Sequence, residues 1–173
     1  MKLHQILFLT VLSGFLSFNA IGQEPDNKKP MYGNIAKSEQ YKKIDNEFIA
    51  HSLKQFGSID SATKVYIDHA WRYFYNSDLE TAMKRFNQAW LLNAEYPDSY
   101  FGFAALLELQ HNLSEADKFY EIALEKDNLI NRAEICYQRI ADCKEQLKDT
   151  KGVIEAYNKI LKLNPSNIFA LKK

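Results

Sequence analysis

The chain is poor in the residues from which catalytic and metal centres are usually assembled. It has two cysteines, six glycines and four histidines in 173 residues. The glycines are scattered, so no glycine-rich loop follows a strand to cradle a phosphate, and neither an HExxH nor a CxxC spacing occurs. Cys136 and Cys143 stand seven apart. On one helix they would share a face roughly 10 Å apart, too far for a disulfide. His51, His69 and His111 lie at no zinc-motif spacing from them, which leaves the thiols as buried structural residues. Charge of one sign is missing too. Lys plus Arg and Asp plus Glu are 22 each, so no net field draws in nucleic acid or an anionic membrane. Glu115 with Asp117, and Asp142 with Glu145, form carboxylate pairs, but on helices of a charged protein such pairs read as solvated faces. Nothing in this inventory supports catalysis, a metal or a cofactor.

A spanning hydrophobic run is also absent. Ile6 to Phe18 is apolar for 13 residues, short of the roughly 20 that a membrane helix needs. With Lys2 before it and the small-x-small Ala20-Ile21-Gly22 after it, this stretch has the form of a secretory leader. Residues 1–22 are therefore expected to be a signal peptide, removed to leave a chain beginning near Gln23; retention as an anchor is the alternative. No cysteine follows to accept a lipid. The product is expected in the periplasm or outside the cell, and its charge stays balanced because Lys2 is the one charged residue lost.

Present instead is helical periodicity. Residues 23–37, with Pro25, Pro30 and Gly33, lack it and read as a flexible linker. Tyr41, Ile44, Phe48 and Leu53 recur at helical spacing up to Gly57, giving a capping helix over 38–57. Asp60 or Ser61 is available to cap the next helix. Beyond it the chain repeats. Ala82, Phe86 and Ala89 recur 34 residues on as Ala116, Tyr120 and Ala123, and Tyr66 and Ala70 as Tyr100 and Ala104. Tyr137, Ala141, Tyr157 and Ile160 continue the series at an offset of 37, which places three extra residues in the turn around Asn128 to Arg132. Ser77 with Glu80 has capping-box spacing, Ser114 with Asp117 a weaker version, and Asp149 precedes the last second helix.

A period of 34 with small and aromatic residues at fixed places resembles the tetratricopeptide (TPR) family over residues 63–166. The resemblance implies an all-α fold: a short right-handed α-solenoid of about three TPR helix pairs behind the extra N-terminal amphipathic helix. The units would be 63–96, 97–130 and 134–167, with 168–173 a truncated final helix. Each pair buries its apolar stripe only by stacking on its neighbours. Departures from the family pattern, His69 for leucine, Lys144 for an aromatic and Val153 for alanine, read as edge effects of a terminal repeat.

The family uses the second, fifth, ninth, twelfth and thirteenth positions of each unit to line a concave groove. Carried over, these are Lys64, Ile67, Trp71, Phe74 and Tyr75, then Asp98, Phe101, Ala105, Glu108 and Leu109, then Ile135, Gln138, Asp142, Glu145 and Gln146. The groove would be aromatic at its N-terminal end and acidic at its C-terminal end. Helical spacing alone puts Ile67, Trp71, Phe74 and Tyr75 on a second apolar stripe beside the core stripe of Tyr66, Ala70 and Tyr73. That second stripe either packs under the 38–57 helix, the commoner fate of such a surplus, or meets a partner. Where the best-known ligand mode of the family uses lysine and asparagine to hold a terminal carboxylate, this chain has Ile67, Trp71 and Gly102, so that clamp is absent. The expected function is a non-catalytic protein or peptide-binding scaffold. A carbohydrate-binding module using Trp71 and Tyr75 as stacking platforms is the alternative.

Overall fold

A computed structural model of the chain describes residues 24–126 and 130–171; the expected signal peptide and part of the turn around Asn128 fall outside them. The Ser38 hydroxyl accepts the Tyr41 backbone N–H and opens α1 (Glu39–Phe56), and Gly57 closes it at φ 79°, a left-handed conformation that only glycine adopts without strain. Ser58 repeats the device by accepting from the Ser61 N–H, so α2 (Ile59–Tyr75) begins two or three residues earlier than Asp60 or Ser61 would have set it. There follow α3 (Leu79–Leu92), α4 (Pro97–Leu109), α5 (Leu113–Lys126), α6 (Ile130–Gln146), α7 (Thr150–Leu163) and the single turn α8 (Ile168–Leu171). All regular elements among the described residues are helical.

Helices α2 and α3, α4 and α5, and α6 and α7 form three antiparallel pairs that stack in chain order. The second helices are 14 residues each and repeat one another at the offsets read from sequence. The first helices differ. α4 starts at Pro97, whereas α2 and α6 start four residues before Thr63 and Glu134.

The turn inside each pair has one geometry. Ser77, His111 and Lys148 occupy the left-handed region at φ 61°, 58° and 61°. The next residue donates its N–H five residues back: Asp78 to Tyr73, Asn112 to Leu107, Asp149 to Lys144. This double closure satisfies carbonyls that a helix end otherwise leaves orphaned. It also corrects the capping box. Ser77 is spent on the turn, and the cap of α3 is Asp78, which accepts from Thr81 at 3.1 Å. Asp149 caps α7 as expected, accepting from Gly152 at 3.0 Å.

The core runs the length of the stack. The small and aromatic residues that set the repeat are buried: Ala82, Phe86 and Ala89, then Ala116, Tyr120 and Ala123, then Ala156, Tyr157 and Ile160. Gly102 matters at one contact, because a Cβ there would lie 2.2 Å from the Phe86 ring; the missing side chain lets α4 close on that ring.

Three expectations are corrected here. Residues 24–37 are docked, not a free linker. The Asn87 side chain, wholly buried on α3, donates to the backbone carbonyls of Asn27 at 3.1 Å and Lys29 at 2.8 Å. Pro30 is buried, Tyr32 lies 6.4 Å from Trp90, and Lys37 pairs with Asp45 of α1 at 2.5 Å. Tyr32 holds its proton far above the ordinary range, first through burial and then through the charge of Asp45. Lys144 is no edge effect either. Its ammonium sits 2.6 Å from Asp117, a carboxylate only 5% exposed on α5, and so ties the second pair to the third. Asp117 is correspondingly neither a cap nor part of a solvated face.

Candidate functional site

The first helices present a furrow along one side of the stack. A volume of about 720 Å³ is enclosed by Trp71, Phe74 and Tyr75 from α2, Asp98, Phe101, Ala105, Glu108 and Leu109 from α4, Tyr120 from α5, and Ile135 and Arg139 from α6. The positions come from helical register. Trp71, Phe74 and Tyr75 are within four residues and share a face, as do Phe101, Ala105 and Glu108.

The floor is aromatic. The Trp71 ring meets Phe86 edge-on at 5.1 Å and lies 5.2 Å from Phe74 and 5.9 Å from Phe101. Phe101 in turn lies 5.3 Å from Tyr120. Such tilted contacts set the negative ring faces against positive ring edges and add to the burial of hydrocarbon. The rim is apolar and open. Tyr75 is 77% exposed, while Leu109 and Ile135 are 53% exposed.

The second stripe of α2 is thus not roofed by α1. Phe48 and Phe56 of α1 pack at 5.3 and 6.1 Å on Tyr66, a residue of the other stripe. Ile67, expected in the groove, belongs to the buried core. Lys64 is exposed outside the furrow lining, and Gln138 lies behind it, donating to Asp142 at 3.0 Å and to the Tyr157 hydroxyl at 3.2 Å. Asp142, Glu145 and Gln146 line a second hollow of about 520 Å³ that shares Glu108 with the first.

Two lining residues were absent from the sequence reading. Tyr120 was placed wholly in the core by its repeat position, yet its hydroxyl donates to Glu108 at 2.7 Å and forms part of the floor. That bond and burial keep the phenol protonated well beyond its usual range, burial being the larger cause. Arg139, one turn from Ile135, stands 3.6 Å from Glu108. The i, i+4 relation to Ile135 was the available signal.

Among the described residues there is no grouping of His, Cys, Asp and Glu suited to a metal ion. Cys136 and Cys143 are both buried on α6, and burial pushes the Cys143 thiol up to about 12, which makes it a poor nucleophile.

No family model matches the chain. A TPR repeat-containing protein of Methanocaldococcus jannaschii is 30% identical over 95 residues, 55% of this chain but 16% of that protein. Two solved structures superpose with a TM-score of 0.55 over 64% of this chain. They are the first TPR domain of Spaghetti (RPAP3), bound to the HSP90 peptide SRMEEVD, at 17% identity over 85% of that chain, and the TPR domain of Arabidopsis OM64, at 20% over 89%. The chain has the fold of tetratricopeptide-repeat domains. Its α2/α3, α4/α5 and α6/α7 pairs are the helical hairpins of a TPR array, and the furrow lies along the first helices of those hairpins.

Proposed function

We propose that this TPR protein is a non-catalytic scaffold that holds a segment of another protein in the furrow, and that it does so in the periplasm or outside the cell. The observation that carries the reading is the open apolar rim of Tyr75, Leu109 and Ile135 above an aromatic floor. Large apolar side chains contributed by the first helices of three successive pairs and left in water together are the usual mark of an interaction surface. Trp71 and Tyr75 are the anchors, since aromatic residues in such hollows dominate binding energies. The leader-like residues 1–22 support export.

The acidic peptide of the Spaghetti (RPAP3) structure is not the expected ligand. Ile67 is buried, Trp71 offers a ring, and Gly102 offers no side chain where lysine and asparagine donors would hold a carboxylate.

The test is selection of ligands from a random peptide display on the purified chain, followed by titration of the Leu109→Asp, Ile135→Asp variant. Both residues are half exposed, so the variant should melt with the wild type while losing at least about tenfold in affinity. Undiminished binding by the folded variant would sink the furrow reading. Enrichment of no peptide, with oligosaccharide binding lost on Tyr75→Ala, would replace the scaffold with a carbohydrate module. N-terminal sequencing of the exported chain should begin near Gln23; an intact leader would contradict the export step.

A further inference from the structure

The three aromatic residues that repeat along the second helices, Phe86, Tyr120 and Tyr157, do not meet the same chemistry on the first helices. Phe86 packs on Trp71 and carries no polar atom. Tyr120 donates its hydroxyl to Glu108. The Tyr157 hydroxyl accepts from Gln138, whose amide also holds Asp142. Walking from the first pair to the third, the partners of these rings thus change from hydrocarbon to carboxylate and amide, while the furrow itself ends on Ile135 and Arg139 and the carboxylates Asp142 and Glu145 line the adjoining hollow. Glu108 is the join, because it belongs to the walls of both hollows.

Resting on the furrow reading above, we propose that the bound segment carries an aromatic or aliphatic side chain followed within a few residues by a lysine or arginine, the apolar group lying over Trp71 and Phe101 and the base in the hollow beyond Glu108. The acidic hollow alone would be an ordinary solvated surface. Its continuity with an open aromatic furrow makes it one end of a single elongated site. Its lining is the carboxylates of Glu108, Asp142 and Glu145 and the amide of Gln146. The Arg139 guanidinium stands on the furrow side against one oxygen of Glu108 and is itself half exposed. Carboxylates accept hydrogen bonds and cannot donate, so the complementary group is a donor of positive charge.

The experiment uses the purified full chain and fluorescent hexapeptides bearing one Phe-Leu pair and, at spacings of one to four residues, either Lys-Arg or Glu-Asp. Anisotropy titrations are run at low and at high salt. The basic series should bind at least about tenfold tighter than the acidic series at its best spacing, and that preference should shrink as salt screens the charges. Glu145→Lys, at an exposed position, with Asp142→Asn, which keeps an acceptor for the Gln138 amide, should abolish or reverse it. Leu109→Asp should weaken both series.

Binding that depends on Leu109 but is equal for the two series, and unchanged by the Asp142 and Glu145 substitutions, would overturn the basic-ligand inference while leaving the furrow as a site. Binding indifferent to Leu109, or none in either series, would overturn both.

Discussion

The two junctions between successive hairpins share one apolar core but differ in what is added to it. Where the first pair meets the second, Phe86 lies wholly buried against Gly102 and 6.3 Å from Phe103, and the contact is rings on backbone. Where the second meets the third, Asp117 and Lys144 form an ion pair in a largely buried setting, and Glu108 reaches Arg139. Dispersion and hydrophobic contacts at the first junction fail gradually as atoms are removed. A buried charge at the second fails abruptly when its partner goes. The N-terminal junction therefore depends on packing alone, while the C-terminal pair is held by the same apolar core plus specific polar contacts. The same contrast, carried along the first helices, sets an acidic hollow beside the aromatic furrow.

Four changes would break or sharpen this contrast. Phe86→Ala is expected to have the largest effect, about 4 kcal/mol in chemical denaturation, because it opens a cavity at the centre of the first junction. Lys144→Met should cost about 3 kcal/mol by stranding Asp117, and Asp117→Leu in the same chain should return most of it, since an apolar pair can replace a buried ion pair. If the single Lys144 change is as mild as a surface substitution, the polar account of the second junction is wrong. Asn87→Ala should cost about 1–2 kcal/mol and speed hydrogen exchange in residues 24–37, whose carbonyls it releases.

The smallest effect concerns pH. The Cys143 thiol titrates near 9 when unfolded and about 12 when folded, so between those values the native chain holds the extra proton and stability falls as pH rises. Below about pH 9 its contribution is constant. Cys143→Ala should make the alkaline loss shallower by at most about 1.4 kcal/mol per pH unit, read from melts taken at intervals between pH 8 and 11.

Most of the fold was legible because its repeat is written in residues that must be small or ring-shaped to let helices stack. Ala82, Phe86, Ala116 and Tyr120 are buried, and their spacing needed no knowledge of distant partners. The docked segment was not legible. Its grip comes from Asn87, about sixty residues away, and from backbone carbonyls that any sequence would offer. Lys144 misled for a related reason: a departure from a family pattern looks like tolerance at an edge until the buried carboxylate opposite is known. The turn residues Ser77, His111 and Lys148 gave no glycine signal for their left-handed geometry, so the cap was placed one residue early.

Of the furrow, Trp71, Phe74, Tyr75, Phe101 and Glu108 were readable from their register on α2 and α4. Ile67 went to the core because its side of α2 faces the stack, and Tyr120 entered the lining because a phenol long enough to fill the core also reaches through it.

The most direct test of the furrow as the binding surface is site-specific photo-crosslinking in the native host, with a photoreactive phenylalanine at Tyr75 and, as a control, at Ile154, an exposed apolar position on α7 outside the furrow. A discrete partner adduct from position 75, abolished by Leu109→Asp and absent from position 154, is the result the account predicts. Equal adducts from both positions, or an adduct from 154 alone, would contradict it.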